Sequence, residues 1–337
     1  MTTYTYAPLY ELTRGGLVES VHYGAIAVAD IQGRLVAAYG DPRSVTYLRS
    51  TAKPFQAIPL VESGAAAAYG FTPREIALVC ASHLGQDFHF DGVTAMQTKV
   101  GVTEGDLLCG QHPVEGHEPR PKRHNCSGKH TGMLAYAKHH GLSLADYVEP
   151  QHVLQQNILT AFAEMCDLKP TEVTVGIDGC SAPNFAVPLF NAAIALARLA
   201  DPSELAPHRA TALKTIFSAM NTHPEMVRGE KGFDTELMRL LPGKVVAKGG
   251  AEAYHGLSLA PGALGSGSPA LGVALKVADG GFRASEPAAL EVLRQLGAVG
   301  DAEVQAMTSF GYGSPRPLKN WRGLAVGEAR PCFTLQR

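Results

Sequence analysis

Residues 24–29, GAIAVA, form an apolar run that predicts a short strand. Asp30 to Gly33 predicts a turn and 34–39, RLVAAY, its return partner, so the chain opens on a hairpin. Residues 50–64, STAKPFQAIPLVESG, predict one helix that tolerates Pro54 in its first turn and stops at Gly64. The run 76–81, IALVCA, predicts a buried strand or the start of a helix. Residues 110–123, GQHPVEGHEPRPKR, are too polar and too rich in proline for a regular buried element and predict a long loop. The segment after it, HTGMLAYAKHH, predicts a helix, as do 152–165, 184–199, 205–220 and 287–296. Short strands are predicted at 172–178, 244–248 and 271–278, and the tail beyond Ser309 reads as irregular with one strand near 322–326. Strands lie toward both ends and helices between them, which favours an α+β fold over a regular βαβ succession. No fixed-period repeat and no clear linker interrupts the chain.

Composition narrows the possibilities. The chain has 337 residues, 45% hydrophobic and 18% charged, enough for a large core and too apolar for a disordered chain. The expected organisation is a single catalytic unit over 1–337, undivided or in two subdomains with a helical insertion around 50–220. Lys plus Arg is 29 and Asp plus Glu is 31, a net charge of −2, so no nucleic-acid or polybasic membrane partner is expected. No 18-residue apolar stretch and no basic-then-apolar leader is present in the sequence given, and the expectation is a cytoplasmic protein. Six cysteines without CxxC spacing are too few for a disulfide scaffold.

Four short segments carry candidate chemistry. Ser50 and Lys53 are three residues apart, which on a helix puts both on one face, where a neutral lysine amine can take the serine proton. The plain alternative is a capping serine beside a surface lysine. Ser82 and His83 close an apolar run and can line a pocket, or be ordinary loop residues. In Cys126-Ser127-Gly128-Lys129-His130 and Asp178-Gly179-Cys180, two thiolates can hold a soft or borderline metal such as zinc, with a nearby imidazole or carboxylate completing the shell, or each thiol simply sits in the core; no standard zinc spacing occurs. Lys248, at a predicted strand end before Gly249 and Gly250, can meet a substrate carboxylate or a nucleophile, or lie at the surface. No GxxxxGK[ST], GxSxG, HExxH or supported GxGxxG is present.

Taken in order, the pieces LRSTAKPFQ, CASHLGQDFH, HNCSGKHTGML, DGCSAPNF and AKGGAE resemble the asparaginase II family of rhizobial-type amidohydrolases. The resemblance runs from Arg14 to about Gly280. It departs at 228–235, RGEKGFDT, and after Glu252. It implies an antiparallel sheet with packed helices, similar to serine β-lactamases and glutaminases. It also implies hydrolysis of L-asparagine to L-aspartate and ammonia by two serine–lysine pairs, Ser50 with Lys53 and Ser82 with Lys248. Ser50 is the expected nucleophile and Ser82 a proton relay. Cys126, Lys129 and Cys180 fall on the family's zinc-binding residues, with the zinc structural or substrate-positioning. Asp178 would orient that site or hold the substrate α-amine, and Arg49, His83 and Gly249 are further expected substrate contacts. The partner is a small amino-acid substrate, and a homodimer is implied. Two other readings remain: an amidase or β-lactamase-like hydrolase of different specificity, and a zinc-stabilised amino-acid-binding module without turnover.

Overall fold

Among the described residues, eleven strands divide between two antiparallel sheets. They are β1 (Ala7–Arg14), β2 (Leu17–Asp30), β3 (Leu35–Tyr39), β4 (Val45–Tyr47), β5 (Thr174–Ile177), β6 (Pro183–Pro188), β7 (Val245–Gly250), β8 (Tyr254–Leu259), β9 (Leu271–Val277), β10 (Arg316–Lys319) and β11 (Ala325–Pro331). The computed structural model describes residues 6–337. The large sheet runs β10-β11-β1-β2-β9-β8-β7, with β3 also paired to β2, and the small one runs β4-β6-β5. The fold is α+β, with helices filling most of the chain between β4 and β7.

Every residue of β8 and β9 is buried. Successive side chains of a strand point to opposite faces, so both faces of the sheet are covered here. The helix Leu189–Ala200 packs against β2, β8 and β9, and the helix Phe282–Leu296 against β8, β9 and β11. Gly272 lets the first of these come close, since a Cβ there would fall 1.9 Å from the Ala193 carbonyl oxygen.

The predicted hairpin forms as β2 and β3, with Ile26 opposite Tyr39. The predicted helix at 50–64 is instead a 3₁₀ turn, Arg49–Ala52, followed by two short helices, Lys53–Gln56 and Ile58–Glu62. Pro54 and Pro59 each sit in the first turn of a helix, where the missing N–H costs least, so each proline restarts the helix. The run at 76–81 belongs to a helix, Pro73–Val79, started by a reciprocal cap: Glu75 N donates to Thr72 Oγ1 and Thr72 N to Glu75 Oε2. Residues 184–199 split into β6 and the helix Leu189–Ala200, because Pro188 disfavours helix at the residue before it. The last long helix begins at Phe282 and carries Pro287 inside it, and the tail forms two strands, β10 and β11.

Candidate active site

Three separate segments converge on one hydroxyl. Ser82 lies just beyond the helix Pro73–Val79, and its N–H donates to the Val227 carbonyl at 2.9 Å. Lys53 opens the short helix Lys53–Gln56 and Lys248 lies in β7. Lys53 Nζ is 3.0 Å from Ser82 Oγ and Lys248 Nζ is 2.8 Å from the same atom. Lys53 Nζ also donates to the Ala81 carbonyl and, at 3.3 Å, to that of Asn125. Lys248 Nζ donates to the Gly249 carbonyl at 2.6 Å. Both lysines and Ser82 are buried.

Carbonyl oxygens only accept, so they fix some of these protons. Two N–H bonds of Lys53 are committed to carbonyls, and one of Lys248. That leaves one position on Lys53 and two on Lys248, and the position of each that faces Ser82 is an N–H or a lone pair. Burial and the neighbouring Lys53 lower the Lys248 pKa to about 7. A neutral Lys248 can therefore accept the Ser82 proton.

Ser50 lies in the turn Arg49–Ala52, which opens with Arg49 at φ +52°, a left-handed conformation rare for a residue with a side chain. That turn is held from three sides. Arg49 N donates to Asn184 Oδ1 at 3.1 Å, Arg49 Nε to Asp178 Oδ1 at 2.9 Å, and Thr51 Oγ1 to the Lys248 carbonyl at 2.9 Å. Gly250 backs directly against it, since a Cβ there would lie 2.6 Å from the Leu48 carbonyl oxygen. The Lys53 backbone N–H donates to the Ser50 carbonyl, but the Lys53 amine makes no hydrogen bond to the Ser50 hydroxyl. Among the described residues the Ser50 hydroxyl has no hydrogen-bond partner, and neither the Ser50 nor the Ala251 N–H has an acceptor.

Ser50 and Ser82 line one cavity of about 130 Å³ with Asn125, Arg228, Gly249 and Ala251. That is well below the roughly 300–1,000 Å³ of sites for drug-sized ligands. Its far wall carries Asp234, His255 and Glu286. His255 Nε2 is 3.1 Å from Asp234 Oδ1, an ion-pair distance at an angle too poor for a hydrogen bond. Gly249 N donates to Asp234 Oδ2 at 2.9 Å. Burial works against the Asp234 charge, but His255, Lys248 and the Gly249 N–H together hold its carboxyl below the usual range.

Cys126, Lys129 and Cys180 meet in a second buried cluster beside this cavity. Lys129 Nζ is 3.0 Å from Cys180 Sγ. The Cys126 thiol and the Lys129 amine hold Cys180 far below the usual thiol range, while Cys126 is pushed up by Cys180 and by burial. Of the two thiols Cys180 is therefore the more acidic. Burial opposes a charge on Lys129, but the two sulfurs outweigh it and raise the amine. His130 Nδ1 shares a hydrogen bond of 2.7 Å with Tyr147 Oη, and burial lowers its pKa to about 4. Its buried Nε2 has no hydrogen-bond partner. Among the described residues no three His, Cys, Asp or Glu side chains converge as a metal cluster. The donors gathered here are two sulfurs and the Lys129 amine, a set that fits a soft or borderline divalent ion. Asn125 joins the two clusters: its carbonyl takes a bond from Lys53 and its Oδ1 one from Cys126 Sγ at 3.2 Å.

The fold thus gathers Ser50, Lys53, Ser82 and Lys248 at one place, with Gly249 on the cavity wall. Asp178 and Arg49 pair with each other beside Cys180 and are not among the cavity-lining residues. His83 also lies outside the cavity: fully buried, it accepts from Gly85 N at 3.1 Å and donates through Nε2 to Ser127 Oγ at 2.9 Å. Sequence reasoning missed Asn125, Arg228, Asp234, His255 and Glu286. Arg228 and Asp234 were within reach, because they lie in the charged interval RGEKGFDT that departs from the family pattern. Nothing local marks His255 or Glu286.

A family model described as L-asparaginase II matches residues 10–331. No curated protein matches the sequence. Among solved structures, a β-lactamase from Mycobacterium bovis is similar at 14% identity and a TM-score of 0.45, over 81% of this chain and 94% of that one. A probable glutaminase from Bacillus subtilis, complexed with 6-diazo-5-oxo-L-norleucine, is similar at 14% identity and a TM-score of 0.40, over 81% and 83%. Among the described residues no helix is long and apolar enough to cross a membrane.

Proposed function

The chain belongs to the asparaginase II family, and on that footing we propose that it hydrolyses L-asparagine to L-aspartate and ammonia through an ester on an active-site serine. The observation that carries the reading is the single oxygen, Ser82 Oγ, shared by two buried lysines, Lys53 and Lys248. Two ammonium groups so close repel, which favours keeping one amine neutral and available as a base.

Ser50 Oγ, which has no hydrogen-bond partner among the described residues and belongs to a cavity-lining residue, attacks the side-chain amide carbon of asparagine. Its proton passes to the Ser82–lysine group. The same group then protonates the departing nitrogen, which leaves as ammonia. The free N–H groups of Ser50 and Ala251 supply donors for the oxyanion. Water next attacks the ester; the lysine pair accepts its proton and returns it to Ser50 Oγ as the serine is released. The small cavity supports an amino-acid amide over a bulkier amide or a β-lactam.

Cys126, Lys129 and Cys180 are the proposed zinc ligands. Bound zinc would supply the positive charge that keeps both sulfurs as thiolates and the lysine as a free amine. The Arg49–Asp178 ion pair, at 2.8 Å, ties this cluster to the Ser50 turn, so the cluster's part is to fix the position of that turn. The homodimer is a further part of the proposal, read by sedimentation.

The test is ammonia release from L-asparagine by the wild-type chain and by Ser50→Ala and Ser82→Ala. Turnover by the wild type and its loss in both variants is expected. Undiminished turnover in both variants would overturn the serine mechanism. Hydrolysis of a penicillin without ammonia from asparagine would replace the substrate assignment.

A further inference from the structure

Two opposite charges on the cavity wall lack charged partners. Arg228 follows the short helix Pro224–Val227, and its backbone carbonyl accepts from Leu84 N at 3.0 Å, which ties it to the segment carrying Ser82. Its guanidinium makes one long contact, 3.4 Å from NH1 to the Ser82 carbonyl, and among the described residues it has no carboxylate within ion-pair distance. Glu286 lies on the helix Phe282–Leu296, half-buried, and among the described residues its carboxyl has neither a hydrogen bond nor an ion pair. The two do not pair with each other, although both line the same cavity. The other carboxylate of the cavity, Asp234, is already engaged by His255 and the Gly249 N–H.

A half-buried charge without a partner is costly, and one facing a cavity is paired by what enters it. L-Asparagine carries an ammonium and a carboxylate on one carbon, with the reacting amide one methylene away. Resting on the asparaginase reading above, we propose that Arg228 binds the substrate α-carboxylate and Glu286 its α-ammonium, so that the two hold the zwitterionic end while the amide reaches Ser50 and Ser82. Burial and the nearby Asp234 charge push the Glu286 pKa up, while His255 and Arg228 pull it down, and an arriving ammonium would favour its ionised form. Charge on the partners thus selects an α-amino acid amide over a simple amide.

The test removes one charge from the protein and the matching charge from the ligand. Binding and ammonia release are measured for L-asparagine, for succinamate (which lacks the α-ammonium) and for 3-aminopropanamide (which lacks the α-carboxylate). The proteins are the wild type, Glu286→Gln, Arg228→Met and the milder Arg228→Lys, each checked by thermal melting. Glu286→Gln is expected to weaken asparagine and 3-aminopropanamide about tenfold or more and to leave succinamate nearly unchanged. Arg228→Met is expected to weaken asparagine and succinamate and spare 3-aminopropanamide, with Arg228→Lys intermediate. Equal losses for all three ligands, or none, would overturn the assignment. Ammonia release without this pattern refutes the assignment and keeps the asparaginase reading. Binding with this pattern but no ammonia does the reverse, and no binding of asparagine at all refutes both.

Discussion

The Lys248 amine stands 2.8 Å from the Ser82 hydroxyl oxygen, and its pKa is lowered to about 7 by burial and by the charge of Lys53. Below about pH 7 Lys248 is protonated and cannot accept a proton from Ser82. The rate, kcat, should therefore rise with pH through about 7 and level off above it, and Lys248→Met should lose that limb together with about 10²–10⁴ of the rate. The same shift affects stability. Between about pH 7 and the usual lysine value of 10.5 the unfolded chain binds more protons than the folded one, so stability should rise with pH across that window. Chemical denaturation at several pH values reads this slope, which should flatten in Lys248→Met.

Ser82 and the two lysines act on one proton, so their losses should not add. Ser82→Ala and Lys248→Met each remove the shared path, and the double variant should be little slower than the slower single one. Single-turnover rates on asparagine measure this. Multiplicative losses would mean that the two residues act independently.

Gly249 and Gly250 are neighbours in β7 with different surroundings. A Cβ on Gly250 would sit 2.6 Å from the Leu48 carbonyl oxygen, whereas one on Gly249 meets nothing nearer than 3.5 Å. Gly250→Ala should cost about 1–3 kcal/mol of stability and push the Ser50 turn out of place. Gly249→Ala should fold with nearly wild-type stability, and its activity should fall less. Melting curves and kcat for the pair separate these outcomes.

Zinc added to metal-free protein should raise the melting temperature. At a hundredfold excess over Kd, a ligand that binds only the folded state stabilises by about 2.7 kcal/mol. Cys180→Ser should abolish that rise, because one of the two sulfur donors is gone. An unchanged melting temperature in the wild-type chain would remove zinc from the proposed function.

Much of this site was legible in the sequence because its chemistry lies in short contiguous pieces. Ser50 and Lys53 share one piece, Cys126 and Lys129 another, and Ser82, Cys180 and Lys248 each end an apolar run. Helices rich in apolar residues and free of internal proline, such as Ser127–His139 and Val153–Met165, were legible as well. What was not legible depends on the third dimension. The spacing of Ser50 and Lys53 suggested a direct contact, but the chain there is a 3₁₀ turn that Pro54 converts to a helix, and Lys53 reaches across to Ser82. The far wall of the cavity draws Asp234, His255 and Glu286 from a helix, a strand and another helix. Their meeting depends on the antiparallel pairing of β7, β8 and β9 and not on any local pattern.

The decisive measurement is peptide mapping by mass spectrometry after rapid acid quenching of the enzyme during turnover of L-asparagine. An aspartyl ester on the peptide carrying Ser50, absent from Ser50→Ala, is the expected result. An ester on Ser82 with none on Ser50, or ammonia released with no ester on either serine, would contradict it.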